Sequence, residues 1–260
     1  MGRVMVTIAL VGFVFLYGPI AVLVIYSFNA SELVTVWGGF SLRWYGELFG
    51  DAQIGRAFRL SLLIAALSAT IAAVLGTMVA LALMRFGRFW GRPILGAMAS
   101  APLVMPEVIT GLSLLLLFVA MERAVGWPAG RGLGTIVIAH TVFCLAYVAV
   151  VVQSRLAALD RSLEEAAEDL GARPARVFFD VTLPAIAPAL VAGWLLAFTL
   201  SLDDVVVASF VSGPGASTLP MVIFSKVRLG VSPEVNALAT LIILAVALGI
   251  GLAALLLRRR

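Results

Sequence analysis

Glu165-Ala166-Ala167-Glu168-Asp169-Leu170-Gly171, followed nine residues later by Val181-Thr182-Leu183-Pro184, is the stretch on which the reading of this chain turns. It is a charged, helix-forming island in an oily sequence. Of 260 residues, 62% are hydrophobic and 12% charged, and the mean hydropathy is +1.12. A soluble domain is about 45–50% apolar and about 25% charged. The chain therefore reads as an all-α integral membrane protein. The segment around Glu165 is the part that lipid cannot hold, and a polar helix between two membrane spans is a place for something soluble to dock.

Six apolar runs flank that segment, at about 6–28, 61–84, 94–119, 134–153, 186–207 and 237–257. Each is long enough to cross the hydrocarbon as a helix. Arg3 precedes the first run as it would in a signal peptide, but the run is too long for that and no A-x-A site closes it, so it reads as a retained span. With the N-terminus placed in the cytoplasm, the inner side holds eleven basic residues and the outer side seven. The positive-inside rule then puts both termini in the cytoplasm, with Arg258-Arg259-Arg260 the clearest vote. The same flanking pattern explains the net charge of +4 and the pI of 9.8 without nucleic acid as a partner. Cys144 is the single cysteine, which excludes an intrachain disulfide and a cysteine metal site. No G-x-x-x-x-G-K-[ST] loop is present, so the chain has no phosphate-binding loop of its own.

Two outer loops carry signals. Residues 29–57 hold Trp37, Trp44 and Tyr45, which suit an interface or a partner. Residues 208–236 hold Gly213-Pro214-Gly215 and Leu219-Pro220, which interrupt any helix and leave a short re-entrant or surface element.

The inner loop, about 154–184, predicts two short helices. Ser162 with Glu165 fits a capping box. Leu156, Leu159, Leu163, Ala166 or Ala167, and Leu170 recur at helical steps. Gly171 suits a left-handed C′ position, and Pro174 the first turn of the next helix. An amphipathic helix lying on lipid usually carries Lys or Arg on its polar face, whereas this one is acidic from Glu164 to Asp169, which favours docking of a partner.

The pattern Glu165-Ala166-Ala167, three residues, Gly171, nine residues, then Val181-x-Leu183-Pro184 resembles the signature of permease subunits of binding-protein-dependent ABC importers. Valine replaces the usual isoleucine at 181, and the position before the penultimate span agrees. The resemblance covers roughly 57–257. It implies the type I importer permease fold with six spans, residues 1–56 forming a first span and outer loop and 57–260 the transmembrane domain. It also implies a coupling helix seated in a cleft of an ATP-binding subunit, through Glu165, Ala166, Ala167, Gly171, Leu183 and Pro184. ATP and magnesium would be held by two such partner subunits. This chain would hold no cofactor and would be no enzyme. A second permease subunit and an extracytoplasmic binding protein complete the implied complex, in the bilayer of a bacterial inner membrane.

Acidic residues inside spans are functional candidates because they are expensive there. Glu107 follows Pro102 and Pro106, which break or kink the third run. Asp203 and Asp204 lie near the end of the fifth; a place in the substrate path and the capping of a helix end are both open. Glu107 has the same two readings, path or structural bond. Trp194 and Phe198 precede the aspartates on one helix and offer cation–π faces. His140, the single histidine, reads as a satisfied core residue. Acids in a path suit a cation. The segments 101–111, 201–215 and 230–240 resemble those of spermidine/putrescine permeases, and Ser212-Gly213-Pro214-Gly215 before Ser217-Thr218-Leu219-Pro220 is closest to the putrescine type. The alternatives are an importer permease for another solute, such as an amino acid or opine, and an ion-coupled secondary transporter. The absence of inverted halves disfavours the latter.

Overall fold

The computed structural model describes residues 2–33, 36–229 and 233–257, with side-chain surroundings for these except at 3, 229 and 249–257. Gly230, Val231, Ser232 and the terminal Arg258-Arg259-Arg260 lie outside the described residues. In chain order the helices are α1 (Arg3–Tyr26), α2 (Arg43–Gly50), α3 (Ala52–Arg85), α4 (Arg92–Val104), α5 (Glu107–Val125) and α6 (Leu133–Ala158). They continue as α7 (Ser162–Asp169), α8 (Pro174–Val177), a π turn (Phe178–Thr182), α9 (Leu183–Asp203), α10 (Val206–Val211), α11 (Leu219–Leu229) and α12 (Pro233–Leu257). Among the described residues five helical stretches are long and apolar enough to cross a membrane, and α12 adds a sixth apolar helix of 25 residues. The backbone separates into two units, Met1–Arg56 with Val222–Arg260, and Ala57–Met221.

In the first unit α12 packs on α1 and α2. Most apolar side chains of α1 point outward, as lipid-facing side chains do, while Leu23, Val24 and Tyr26 near its end are half-buried. Between α1 and α2 the loop is organised by buried Asn29: Nδ2 donates to the Val36 carbonyl at 2.7 Å and Oδ1 accepts from the Gly38 amide at 2.7 Å. Trp44 Nε1 donates to the Asn29 carbonyl at 2.6 Å, so Trp44 is a structural pin. Lys226 Nζ lies 2.9 Å from Asp51 Oδ2 and 2.8 Å from Glu234 Oε2. Burial opposes the charge on Asp51, but the Lys226 ammonium and the Ile54 and Gln53 amides outweigh it and hold the carboxyl below its usual range. Burial likewise opposes the charge on Lys226, and Glu234 and Asp51 outweigh it and raise its pKa.

The second unit is built on α6, which packs against α9, α4 and α10. Its core is made of small residues: Ala69, Ala72, Ala80 and Ala197 meet Cys144, Val148, Val152 and Leu156. Where lipid is as apolar as leucine, helices associate by close backbone approach, and small side chains permit it. Gly76 shows the closeness: a Cβ there would lie 2.9 Å from Val148 Cβ and 3.0 Å from the Leu145 carbonyl oxygen.

The break or kink expected of Pro102 and Pro106 divides the third run into two helices: Met105 is extended, and Pro106, lacking an N–H, starts α5 afresh. Two departures from the sequence-based expectations have local causes. The fifth run begins earlier and ends earlier, as a 30-residue helical stretch from Pro174 to Asp203. Within it Pro184 would clash with the carbonyl four residues back, and the wider spacing of the π turn just before it absorbs the conflict. Leu156 and Leu159 belong to the end of span four, not to the acidic helix, because α6 runs to Ala158.

Candidate functional site

Eight residues make a helix too short to persist alone, so α7 depends on its ends and its anchor. The expected Ser162–Glu165 capping box is absent; Ser162 is already helical and the cap is Asp160, whose Oδ1 accepts the Ser162 amide at 3.0 Å. That amide holds the Asp160 carboxyl below its usual range. At the other end Gly171 has φ +83°, the left-handed conformation expected of it. Its amide donates to the Glu168 carbonyl at 2.8 Å, and the Ala172 amide reaches the Ala167 carbonyl at 3.1 Å. The two bonds form a Schellman motif and satisfy carbonyls that the helix leaves orphaned.

The anchor is Glu164. Its Oε2 lies 2.8 Å from Arg85 Nε at the end of α3, and its Oε1 accepts from Thr182 Oγ1 at 2.8 Å in the π turn. With one face held this way, α7 presents Leu163, Glu165, Ala166, Glu168 and Asp169 to solvent, and Leu170 just beyond it is 89% exposed. Two leucines among acids, off the lipid-facing spans, make a surface suited to a protein partner. Ala167 is half-buried beneath them, Leu183 packs at the edge of the α3–α6–α9 core, and Pro184 is exposed at the second position of α9. Beneath α7 a cleft of about 660 Å³ is lined by Arg85, Glu164, Glu168, Leu95 and Phe178 among others.

The intramembrane acids are arranged differently. Glu107 is the first residue of α5, exposed beside the break at Pro106. Asp204 follows the last residue of α9, and its side chain is 5% exposed. It accepts the Val207 amide at 3.3 Å and the Ala208 amide at 2.7 Å, capping α10. Its Oδ2 also lies 3.2 Å from Nε2 of the fully buried His140, whose Nδ1 is 2.7 Å from Ser201 Oγ. Glu107 and Asp204 line one small cavity with Tyr147 and Phe143. At about 30 Å³ it has room for a water or one ammonium group, not for a diamine. Asp203 is exposed at the end of α9. Trp194 and Phe198 stack at 5.3 Å, and Trp194 donates to Thr70 Oγ1 at 3.1 Å. Neither aromatic lines the Glu107–Asp204 cavity; Trp194 borders a separate apolar cleft of about 590 Å³ with Phe178 and Leu190. No cluster of three or more His, Cys, Asp or Glu suited to a metal occurs among the described residues.

A short acidic helix before the penultimate span, in a bundle of apolar helices, is the arrangement of an importer permease. The family described as "binding-protein-dependent transport system inner membrane component" matches residues 72–260. The chain belongs to that family. It is therefore a multi-pass protein of the inner membrane. Among curated relatives of this inner membrane component, the putrescine transport system permease protein PotI of Escherichia coli is 66% identical over 241 residues, 93% of this chain and 86% of that protein. The spermidine/putrescine transport system permease protein PotC of the same species is 42% identical, over 89% of this chain and 85% of that protein. Of solved structures, a bacterial ABC transporter involved in the import of the acidic polysaccharide alginate superposes with a TM-score of 0.75, covering 98% of each chain at 18% identity. The MetNI methionine ABC transporter, in inward-facing form, does so with a TM-score of 0.63, covering 79% of this chain and 94% of that one at 19% identity. At such identities the superpositions carry the fold alone, that of a type I ABC importer permease.

Sequence reasoning missed Arg85, Glu164 and Thr182 as a group, and Asp160 as the cap. Asp160, two residues before the helix start, carried a legible signal, since aspartate side chains bond amides two residues on. The Arg85–Glu164 pair carried none, because charges far apart in a chain announce no pairing.

Proposed function

We propose that this chain is a permease subunit of an ATP-driven polyamine importer, forming a translocation path with a second, related permease. In this reading two ATP-binding subunits carry the nucleotide and magnesium chemistry. An extracytoplasmic polyamine-binding protein delivers putrescine or spermidine, and both termini face the cytoplasm. Residues 1–56 are a first span with an outer loop, and 57–260 the transport domain. The observation that carries the class is α7, capped at both ends, anchored by Glu164 and exposing Glu165 with two leucines. Glu165, Ala166, Ala167 and Gly171 form the docking surface, and Leu183 and Pro184 join it to span five. The cargo rests on the 66% and 42% identity to putrescine and spermidine/putrescine permeases. The Glu107–Asp204 cavity supports it, since paired carboxylates near one space attract an ammonium group. Because that space takes one ammonium, the rest of a diamine lies against other surfaces. Asp203 borders the path, and Trp194 and Phe198 offer aromatic faces along the same helix.

The test is ATP hydrolysis by the complex in nanodiscs, containing this chain, its partner permease, the ATPase and the binding protein, with and without putrescine or spermidine. Stimulation by polyamine-loaded binding protein is the expected result. Hydrolysis indifferent to every polyamine, but raised by another solute, would remove the cargo and leave the class.

A further inference from the structure

We infer that Arg85, Glu164 and Thr182 form a clamp that transmits motion from the docking helix into the membrane helices, with Glu164 as its positioning residue. The inference rests on the docking role proposed for α7. Three elements meet at one carboxylate. Glu164 Oε2 is 2.8 Å from Arg85 Nε at the end of α3, and Oε1 accepts from Thr182 Oγ1 at 2.8 Å in the π turn that leads into α9. Arg85 and Glu164 side chains are only 13% and 18% exposed, and Thr182 is buried, so water screens the group little. A second, separate link runs the same way: Arg161, the residue before α7, donates through Nη2 to the Arg85 carbonyl at 3.3 Å. Arg85 cannot simply follow α7 outward, because its own turn is tied down. Arg92 donates to the Leu83 and Gly87 carbonyls, each at 2.8 Å.

The arrangement divides labour between neighbouring glutamates. Glu165 faces solvent and is free to meet a partner, while Glu164 faces inward and uses both oxygens on the membrane helices. A push on α7 therefore reaches α3 and the start of the α9 rod together. Without the clamp, α7 keeps its packing on α8 and the π turn, the single Arg161 bond, and the chain itself through Gly171–Arg173 and Leu159–Asp160. Loop segments of that kind bend before they transmit load.

The experiment uses the full complex in proteoliposomes and reads putrescine taken up per ATP hydrolysed, together with the amount of ATPase that co-purifies. Glu164→Gln, which removes the charge paired with Arg85, and Thr182→Val, which removes the hydroxyl that donates to Glu164, are expected to retain the ATPase fully but to lower uptake per ATP roughly tenfold, the effect of losing one charged contact of this kind. Thr182→Ser, which keeps the hydroxyl, is expected to behave as wild type. Exchanging the charges, Arg85→Glu with Glu164→Arg, is expected to recover most of the coupling lost in Glu164→Arg alone. Unchanged uptake per ATP in Glu164→Gln and Thr182→Val overturns the clamp. Loss of co-purification in both overturns it too, because Glu164 would then belong to the docking surface. If Glu164→Gln fails to insert, Thr182→Val decides alone. Glu165→Lys, run beside them, separates the two readings: if it too is without effect, docking through α7 falls, whereas an effect there with none at Glu164 removes the clamp only.

Discussion

Gly171 offers the sharpest test of α7 because nothing within the chain crowds it. The residue sits at φ +83°, and a Cβ built there meets nothing within 4 Å. Substitution therefore adds no clash within the chain, and the effect on α7 itself is the cost of the left-handed backbone; a direct clash with a docked partner would instead rank the larger asparagine below alanine. For alanine the backbone cost is about 1–2 kcal/mol; asparagine tolerates the conformation and costs less. A helix of two turns has little reserve, and this cost shifts its formation by about 5- to 30-fold. A partner that binds only the formed helix then loses affinity by up to the same factor. The assay is the affinity of the purified ATPase for the permease pair in nanodiscs, measured for Gly171→Ala, Gly171→Asn and Gly171→Val. The expected order is Gly, Asn, Ala, Val from tightest to weakest, with unchanged membrane insertion. Equal affinity across the series refutes the argument, and so does an asparagine variant weaker than alanine.

Three further outcomes are expected. Gly76→Ala should lower the thermal midpoint of the complex in detergent by an overpacking cost of about 1–3 kcal/mol, with partial recovery in Gly76→Ala/Val148→Ala; an unchanged midpoint in the single variant contradicts the 2.9 Å approach to Val148 Cβ. The Asp51–Lys226–Glu234 group should give a stability plateau between the ordinary values of 3.8 for Asp and 10.5 for Lys. The depressed Asp51 loses its contribution as pH falls through its folded pKa, and the raised Lys226 as pH rises through its own, so Lys226→Met should flatten both flanks in a pH series of melting curves. Asp204→Asn keeps an acceptor for one of the two α10 amides but loses the charge; with Glu107→Gln it should raise KM for putrescine roughly tenfold while the complex stays intact, and unchanged uptake kinetics would return both residues to structural roles.

Much of the fold was legible because its causes are local. Run length predicted the spans, Gly171 and Pro174 predicted where α7 stops and α8 starts, and Pro106 predicted a break. What escaped depended on atoms distant in sequence. The end of α6 could not be told from the start of α7, because Leu156, Leu159 and Leu163 continue one period across Asp160. Asp204 was posed as either a cap or a path residue, and its two oxygens reach amides while the same carboxylate borders the cavity with Glu107. His140 was expected to be a satisfied core residue; it is fully buried and Nδ1 lies 2.7 Å from Ser201 Oγ, but Nε2, 3.2 Å from Asp204 Oδ2, makes no hydrogen bond, so the expectation holds at one ring nitrogen only.

The unbroken run from Pro174 to Asp203 has a mechanical meaning. Thirty residues of helix make a rod of about 45 Å, reaching from beside the docking helix to the acid at its far end. Pivoted near its Pro174 end by about 5°, such a rod sweeps its tip about 4 Å, close to the width of an ammonium group, while the near end scarcely moves. The lever exchanges force for travel: a short, strong stroke at one surface becomes a long, gentle one at the other. The π turn lies next to the fulcrum, where a small bend in the shaft moves the tip the most.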